Sequence, residues 1–347
     1  MHVPDGFINA PVSAVTGVVA AGAIAVSLRG ARRELDEKTA PLAGLVAAFI
    51  FAVQMLNFPV AAGTSGHLLG GALAAILVGP FTGVLCVSVV LLMQGILFAD
   101  GGLTALGVNI TDMAIVTTVV SYAVFRGLVK VLPRKKRSIT VAAFVSALLS
   151  VPAAAVTFTL IYALGGTTDV PITKVATAMI GVHVLIGIGE ATITALTVGA
   201  VIAVRPDLVY GARGLQQRLK LRVGGELVDA PAPAAVPVAA RTPRRRVWAV
   251  GLVTSLVLAG FVSFYASASP DGLEKVAKDQ GIDQNTKKHH TEDSPLAGYG
   301  VKDISDARIS GGLAGVIGVG VTVVAGTGIF WAVRRRRTAD VSPSQVA

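Results

Sequence analysis

Residues 1–28 read MHVPDGFINAPVSAVTGVVAAGAIAVSL, a short polar start followed by an apolar run over residues 11–28. A membrane-spanning helix needs roughly 20 apolar residues, so this run predicts a helix that enters a bilayer. No basic segment precedes the run and no small-residue cleavage site follows the start, as a secretory signal would require. We therefore expect the N-terminus to be retained as made, and the bulk of His2 should also discourage removal of Met1.

The composition assigns the whole chain to the membrane class. Of its 347 residues, 53% are hydrophobic and 14% are charged, and the mean hydropathy is +0.71. The net charge of +10 could suggest nucleic-acid binding. We reject that interpretation because the basic residues form short clusters between apolar runs, as in membrane proteins. The single cysteine, Cys86, lies in an apolar run and excludes a disulfide framework or a cysteine-based metal site.

Nine segments are candidates for membrane spans, and they lie at residues 11–28, 41–58, 67–78, 81–98, 113–132, 139–164, 175–204, 247–267 and 309–333. Residues 205–246 interrupt this series, because they are hydrophilic and basic with a centre rich in proline and alanine at 230–240. That composition is typical of a linker. The sequence therefore predicts an all-α integral membrane protein in which about seven helices precede the linker and two helices follow it.

The distribution of charge predicts the orientation. If the N-terminus is outside, the basic clusters at residues 29–38, 133–137, 205–246 and 334–337 all lie inside. The segments left outside, which include residues 1–6, 61–67 and 269–308, are neutral, acidic or mixed. This arrangement predicts a C-terminus in the cytoplasm of a prokaryotic cell, and it places His2 and His67 on the same outer side of the plasma membrane.

A retained Met1-His2 start offers three nitrogens for a metal ion: the Met1 amine, the His2 amide and His2 Nδ1. Bound together, they close two fused chelate rings. Three nitrogens in a plane with room for a fourth suit square-planar Ni2+, Cu2+ or a related late divalent ion. A simpler interpretation is that His2 is an exposed terminal residue, because imidazole is a common bystander as well as a common ligand.

His67 is the candidate for the fourth nitrogen. It follows a stretch rich in small residues, GTSG at 63–66, and precedes Gly70 and Gly71, so another segment can approach it closely. Ser65 or Thr64 could cap a helix that begins there. The alternative is that His67 only forms a hydrogen bond at the membrane interface.

Other polar residues are weaker candidates. His183 and Glu190 lie seven residues apart on one face of a predicted span, where they could line an ion route or, as we prefer, form hydrogen bonds between helices. Asn57 and Asn109 are helix-end residues that could instead support His67 or the N-terminal segment. We expect the pair at 289–290 to be a solvated part of a loop.

Four stretches together resemble the CbiM/NikM family, the substrate-capture membrane components of energy-coupling factor transporters for cobalt or nickel. They are residues 1–6 (MHVPDG), 57–71 (NFPVAAGTSGHLLGG), 101–109 (GGLTALGVN) and 183–190 (HVLIGIGE). The resemblance covers about residues 1–205 and implies that the amine of Met1, the amide and imidazole of His2, and the imidazole of His67 bind the metal. Family members often carry a histidine where this chain has Ala99-Asp100, so the resemblance does not supply an additional ligand there.

Residues 247–337 resemble the PDGLE (NikN-like) accessory component, whose name is spelled here by residues 270–274. The implied organisation is a capture domain (1–205), a cytoplasmic linker (206–246), the PDGLE domain (247–337) and a cytoplasmic tail (338–347). Ni2+ or Co2+, with nickel favoured, would be the transported substrate, and no organic cofactor is implied. The implied partners are a coupling membrane protein and cytoplasmic ATPase subunits, since the chain has no G-x-x-x-x-G-K-[ST] loop of its own.

Two rival functions remain open at this stage. A proton-coupled secondary metal carrier would use His183 and Glu190 as a proton relay. A membrane metal sensor or scaffold would bind the ion without moving it. An enzyme is the least favoured, because no combination of nucleophile, base and orienting residue is visible in the sequence.

Overall fold

The computed structural model describes residues 1–35, 39–61, 63–215, 220–223, 226–229 and 243–339. Most of these residues are helical, which confirms the predicted fold class. The helices are α1 (Ala10–Glu34), α2 (Thr39–Gln54), α3 (Gly71–Val78), α4 (Pro80–Leu97), α5 (Leu106–Asn109), α6 (Thr117–Val131), α7 (Lys136–Gly165), α8 (Ile172–Val204), α9 (Arg244–Gly260), α10 (Gly272–Gln280) and α11 (Ala307–Ala339). Two hairpins pair β1 (Phe58–Ala61) with β2 (Thr64–Gly66) and β3 (Lys220–Val223) with β4 (Glu226–Asp229). Lys38, the linker centre at 230–240 and the tail from 340 onwards lie outside the described residues.

Within the described ranges, seven helices are long and apolar enough to cross a membrane. They are α1, α4, the continuous helix Leu106–Val131 that joins α5 and α6 through the π-helical turn Ile110–Val116, α7, α8, Arg245–Tyr265 and Ala307–Arg335. Large apolar side chains are exposed on their outer faces, for example Val18 at 73%, Leu164 at 77% and Val324 at 74%. Exposure of this kind is expected where lipid rather than water surrounds the protein.

The second and third predicted spans are shorter than the others. Helix α2 has 16 residues and α3 has 8. At 1.5 Å per residue, α3 is only about 12 Å long and cannot cross a bilayer of about 30 Å as a helix alone. All eight of its residues are buried, so α3 lies inside the bundle. The predicted third span is therefore a short buried helix preceded by extended chain at residues 67–70.

The extended chain at residues 67–70 has polar backbone groups that need partners inside an apolar bundle. The Glu190 carboxylate, from α8, accepts hydrogen bonds from the amides of Leu69 at 2.5 Å and Gly70 at 3.0 Å. The Gln54 side chain, from α2, donates to the Leu69 carbonyl at 3.0 Å. These contacts satisfy the backbone where the helix is missing and fix the segment that carries His67.

The buried carboxylate of Glu34, at the end of α1, holds the start of α4. It accepts hydrogen bonds from the Phe81 amide at 3.2 Å, the Thr82 amide at 2.7 Å and the Thr82 hydroxyl at 2.8 Å. Free amides at a helix N-terminus favour a negative partner, so this carboxylate acts as a cap supplied by another helix. Gly79, with φ of 104°, makes the turn that brings α4 to it.

The two C-terminal spans pack on α2 through glycines. A Cβ on Gly44 would lie 2.3 Å from Thr327 Oγ1 of α11, and a Cβ on Gly251 of α9 would lie 2.7 Å from Leu45 Cδ2. Small residues let helices approach closely in a membrane, so these contacts join the C-terminal helices directly to the N-terminal bundle.

The chain between α9 and α11, here called the C-terminal loop (residues 261–306), lies over one end of the bundle. Its backbone bonds to the N-terminal domain at four places: Ser267 N to Asn57 O at 2.7 Å, Ser65 N to Pro270 O at 2.9 Å, Lys287 N to Asp5 O at 2.8 Å, and Gly298 N to Phe98 O at 2.8 Å. The N-terminal segment and His67 lie at this same end, so the loop covers the predicted metal site.

Replacing Glu34 tests the cap on α4. The variant Glu34→Ala should lose about 1–3 kcal/mol of stability, because it leaves buried amides without an acceptor. The effect should appear as a lower midpoint of thermal unfolding for the purified protein in detergent. Glu292→Ala is the control, since its side chain is 45% exposed and forms only a surface pair with Lys288. An unchanged midpoint for Glu34→Ala would contradict the assignment.

Candidate metal centre

The N-terminal segment is held inside the protein as an extended strip. Met1 and Val3 are 3% and 0% exposed. The Val3 amide donates to Asn109 Oδ1 at 2.7 Å, and Asn109 Nδ2 donates back to the Val3 carbonyl at 3.2 Å. Asn109 therefore fixes the backbone of the segment on both sides of Val3 and so limits where the Met1 amine can lie.

The GGLT stretch at residues 101–104 forms the rest of this cradle. The Asp5 carboxylate accepts from the amide and hydroxyl of Thr104, at 2.8 and 2.5 Å. A Cβ on Gly102 would lie 2.2 Å from the Asp5 nitrogen, and one on Gly101 would lie 3.2 Å from His2 Nδ1. Glycine is therefore required at both positions because the N-terminal strip passes directly against the backbone.

The strip brings the chain terminus to His67. The Met1 amine lies 2.8 Å from His67 Nε2, and both groups are buried. The ring centroids of His2 and His67 are 5.2 Å apart at an interplanar angle of 39°. His67 Nδ1 lies 3.0 Å from the Leu68 carbonyl, which can only accept, so Nδ1 carries the proton. Nε2 is left with its lone pair directed at the Met1 amine.

These distances are compatible with one shared ion. Two nitrogens bound to the same metal at about 2.0–2.1 Å and about 90° apart are separated by about 2.9 Å. The observed 2.8 Å between the Met1 amine and His67 Nε2 fits that separation. Among the described residues, no group of three or more His, Cys, Asp or Glu side chains could hold a metal ion. The candidate donor set depends instead on a terminal amine and a backbone amide, which only the chain terminus supplies.

Two carboxylates border the histidines, and neither was singled out from the sequence as a site residue. Asp100 Oδ1 lies 3.6 Å from His2 Nδ1, and Asp100 Oδ2 accepts from the Tyr299 hydroxyl at 2.5 Å. Asp271 Oδ2 lies 2.9 Å from the Met1 amine and 3.6 Å from His67 Nε2. Asp100, at the position where family members often carry a histidine, is therefore an acidic neighbour of His2.

Burial sets the protonation of these groups. It lowers the pKa of His2 to about 4, with the nearby Asp100 charge opposing the shift. Burial alone would raise the pKa of Asp271, but the positive Met1 terminus holds it well below its usual range. At neutral pH the site therefore presents a neutral His2 imidazole, ready to bind a metal, and a charged Asp271 carboxylate.

The remaining predicted residues lie in different places. Asn57 lines the same cavity as His2 and His67, but its side-chain oxygen has no hydrogen-bond partner among the described residues. His183 Nδ1 donates to the Met179 carbonyl at 2.7 Å, and Glu190 binds the backbone after His67 as described above. The hydrogen bonds of His183 and Glu190 thus go to backbone groups rather than to each other.

Two positions in the loops differ from the sequence expectation. Ser65 does not cap a helix, because α3 begins at Gly71, well after the β1–β2 hairpin. Its hydroxyl and amide instead bond the C-terminal loop at Ser269 O, 2.7 Å, and Pro270 O, 2.9 Å. His289 is partly buried, with Nε2 donating to the Gly101 carbonyl at 3.0 Å, whereas His290 is exposed.

Two open cavities of about 750 and about 520 Å³ meet at the candidate site. Both are lined by His2, Asp100, Asp271 and Glu274. The larger cavity also contacts Arg308 on α11. A small hydrated ion could therefore approach the His2 and Asp271 side chains from either cavity without unfolding of the surrounding loops.

Residues 2–208 match the family described as "Cobalt uptake substrate-specific transmembrane region", and residues 245–335 match the PDGLE domain. A "Fused nickel transport protein NikMN" of Rhodobacter capsulatus is 43% identical over 125 residues, which are 36% of each chain. A "Cobalt transport protein CbiM" of Geobacter sulfurreducens is 30% identical over 308 residues, 85% of this chain and 83% of the relative.

A solved structure titled "Crystal Structure of an transition metal transporter" superposes with a TM-score of 0.52 and 28% identity, over 59% of this chain and 93% of that one. The shared region is helical membrane protein, and the relatives are metal transport components rather than enzymes. The chain therefore belongs to the cobalt-uptake substrate-specific transmembrane family of CbiM/NikM type, with a PDGLE domain at its C-terminal end.

Proposed function

We propose that this protein is the substrate-binding membrane component of an energy-coupling factor transporter that imports Ni2+ or Co2+, with nickel favoured. The observation that carries the proposal is the 2.8 Å contact between the Met1 amine and His67 Nε2, beside the His2 ring. In the proposed site the ion is bound by the Met1 amine, the deprotonated His2 amide, His2 Nδ1 and His67 Nε2.

The chemistry of these donors favours late divalent ions. Binding requires that the amine and the amide lose protons, which are released to solvent. Ni2+ and Cu2+ promote such deprotonation and accept four nitrogens in a plane, whereas Mg2+ and Ca2+ prefer oxygen ligands. Nickel is also favoured because this chain carries a PDGLE domain and is similar to the "Fused nickel transport protein NikMN" of Rhodobacter capsulatus.

Import needs an energy source outside this chain. The sequence contains no phosphate-binding loop of the G-x-x-x-x-G-K-[ST] type. We therefore propose a coupling membrane protein and cytoplasmic ATPase subunits as partners, as the family resemblance implies. The distribution of basic clusters favours an N-terminus and a covered site on the outside and a C-terminus in the cytoplasm.

The rival proton-coupled carrier receives less support. A relay would require His183 and Glu190 to exchange a proton along the helix. The two Glu190 oxygens instead accept the Leu69 and Gly70 amides, so this carboxylate has a positioning task beneath His67. Ni2+ uptake by vesicles that contain this chain, with and without ATPase partners and ATP, separates the two functions. Uptake without the partners would overturn the transporter assignment.

An N-terminal tag tests the role of the chain terminus. Any residue added before Met1 converts the terminal amine into an amide and should abolish high-affinity Ni2+ binding by the purified protein. A C-terminal tag of the same length is the control and should leave binding unchanged. Mass spectrometry of the untagged protein should show an unblocked Met1. Full binding with an N-terminal extension would exclude the amine from the site.

The two histidines can be tested separately. His2→Ala and His67→Ala should each reduce Ni2+ affinity by at least about a hundredfold, since loss of one donor opens the chelate. Isothermal titration in detergent measures the affinity. His290→Ala is the matched control because that imidazole is exposed. If either site variant retains the affinity of the control, the four-nitrogen set is wrong.

The pKa of His2 predicts how the metal-free protein responds to acid. Its folded value of about 4 lies below the ordinary 6.5, so the fold prefers the neutral ring. The associated stability is present above pH 6.5 and is lost as the pH falls from 6.5 to 4, about 1.4 kcal/mol per unit. Between pH 7 and 5 the wild type should lose about 2 kcal/mol from this group.

Unfolding of the protein in detergent and chelator at both pH values measures that loss. His2→Gln should show a smaller decrease in stability between pH 7 and 5, because Gln does not titrate. His290→Gln should retain the wild-type dependence. An identical decrease for wild type and His2→Gln would show that the ring is not buried in its neutral form.

A further inference from the structure

Asp271 belongs to the PDGLE domain, yet its carboxylate lies within the proposed site of the N-terminal domain. Oδ2 is 2.9 Å from the Met1 amine and 3.6 Å from His67 Nε2. The side chain is 18% exposed, and Asp271 lies on the wall of both adjoining cavities. The contact joins residues more than 200 positions apart in the sequence.

The loop before Asp271 is attached to the strand that leads to His67. Ser65, in β2, donates from its hydroxyl to the Ser269 carbonyl at 2.7 Å and from its amide to the Pro270 carbonyl at 2.9 Å. Because β2 ends one residue before His67, these bonds set the distance between Asp271 and the imidazole.

The two carboxylate oxygens of Asp271 have different tasks. Oδ1 accepts from the Glu274 amide at 2.8 Å and caps the N-terminus of α10. That bond orients the carboxylate and leaves Oδ2 directed at the Met1 amine. The side chain is therefore pre-positioned rather than free to rotate, as a metal-binding side chain should be.

The residues after Asp271 press the loop against α8. A Cβ on Gly272 would lie 2.8 Å from Ile186 Cδ1 and 3.2 Å from His183 Cε1, so glycine is required for this approach. Leu273 is 1% exposed. In this motif, Pro270 thus accepts a hydrogen bond through its carbonyl and Asp271 supplies an oriented carboxylate. Gly272 allows close packing on α8, and Leu273 supplies a buried apolar side chain.

We propose that Asp271 Oδ2 binds the same metal ion as Met1, His2 and His67, so that the PDGLE domain completes the site from the loop side. The inference depends on the proposed function. Its geometric support is the 2.9 Å separation from the Met1 nitrogen, which matches two neighbouring ligands of one ion. Since the four nitrogens would fill the plane around the ion, Oδ2 would be a fifth ligand outside that plane.

The charge of the complex supports the same assignment. A divalent ion bound to one deprotonated amide and three neutral nitrogens retains one positive charge. Burying an unpaired charge is costly, and a carboxylate that binds the ion directly makes the complex neutral. Asp100 Oδ1 lies 3.6 Å from the nearest proposed ligand, His2 Nδ1, whereas Asp271 Oδ2 lies only 2.9 Å from the Met1 amine. Asp271 is therefore better placed than Asp100 to neutralise the ion.

The test compares wild type, Asp271→Asn and Asp271→Ser as full-length proteins in detergent. Asn and Ser both retain a side-chain oxygen that can cap α10, so these variants remove the charge and keep the fold. Titration with Ni2+ should show at least about a tenfold loss of affinity for both variants, as expected when a charged partner is removed. Bound Cu2+, used as a spectroscopic probe, should show its visible absorption band at shorter wavelength, as expected for loss of an oxygen ligand above the plane.

Glu292→Gln is the matched control, because Glu292 is in the same C-terminal loop but lines neither cavity, is 45% exposed and pairs with Lys288. Its affinity and spectrum should equal those of wild type. Unchanged or increased Ni2+ affinity with an unchanged Cu2+ spectrum in Asp271→Asn would overturn the inference and leave the four-nitrogen site intact. Absence of Ni2+ binding by wild type would instead overturn the proposed function itself.

Discussion

The two hydrogen bonds that the Glu190 carboxylate accepts from the amides of Leu69 and Gly70 are the constraint on which the candidate site depends. Inside a membrane bundle, backbone that is not helical is tolerated only where other groups satisfy it. Glu190 and Gln54 meet that requirement for the chain after His67. Without these two side chains, residues 67–70 would satisfy their backbone groups better as a further turn of α3. The His67 imidazole would then no longer face the Met1 amine. A costly buried carboxylate is thus explained by backbone geometry and does not require a proton relay.

The N-terminus supplies the second constraint, because an amine and a first amide exist only at a chain end. A chain end is normally mobile, and this one is immobilised by contacts that involve few side chains. Asn109 bonds both polar groups of Val3, and Gly101 and Gly102 let the strip lie against the backbone of the loop. Gly101 and Gly102 thus help to hold the first six residues in place, and that immobility keeps the Met1 amine beside His67.

Much of this arrangement was predictable from the sequence. Runs of apolar residues indicated the long helices of the bundle but not α5 or α10, which lie in polar segments of the sequence. A histidine at position 2 together with His67 indicated the candidate donors. The lengths of the second and third spans were harder to predict. Residues 67–70 stay outside α3 because the amides of Leu69 and Gly70 bind the distant Glu190. The predicted cap by Ser65 was wrong for a similar reason, since its partner, the Pro270 carbonyl, is more than 200 residues away. Asp271 was missed because a carboxylate in a polar loop carries no periodic signal, and the contacts of its loop with Ser65 and α8 join distant parts of the sequence.

The attachment of the C-terminal loop also bears on how an ion reaches the site. The loop is bonded to β2, to the N-terminal strip and to the chain after α4, so swinging it away would break contacts in several places at once. It would also expose Leu273 and Ile282, which are 1% and 0% accessible. The adjoining cavities already reach His2 and Asp271, and their acidic walls attract a divalent cation over a short range. Entry beside a fixed loop therefore requires less disruption than opening it, which is consistent with a C-terminal domain that is a permanent wall of the site.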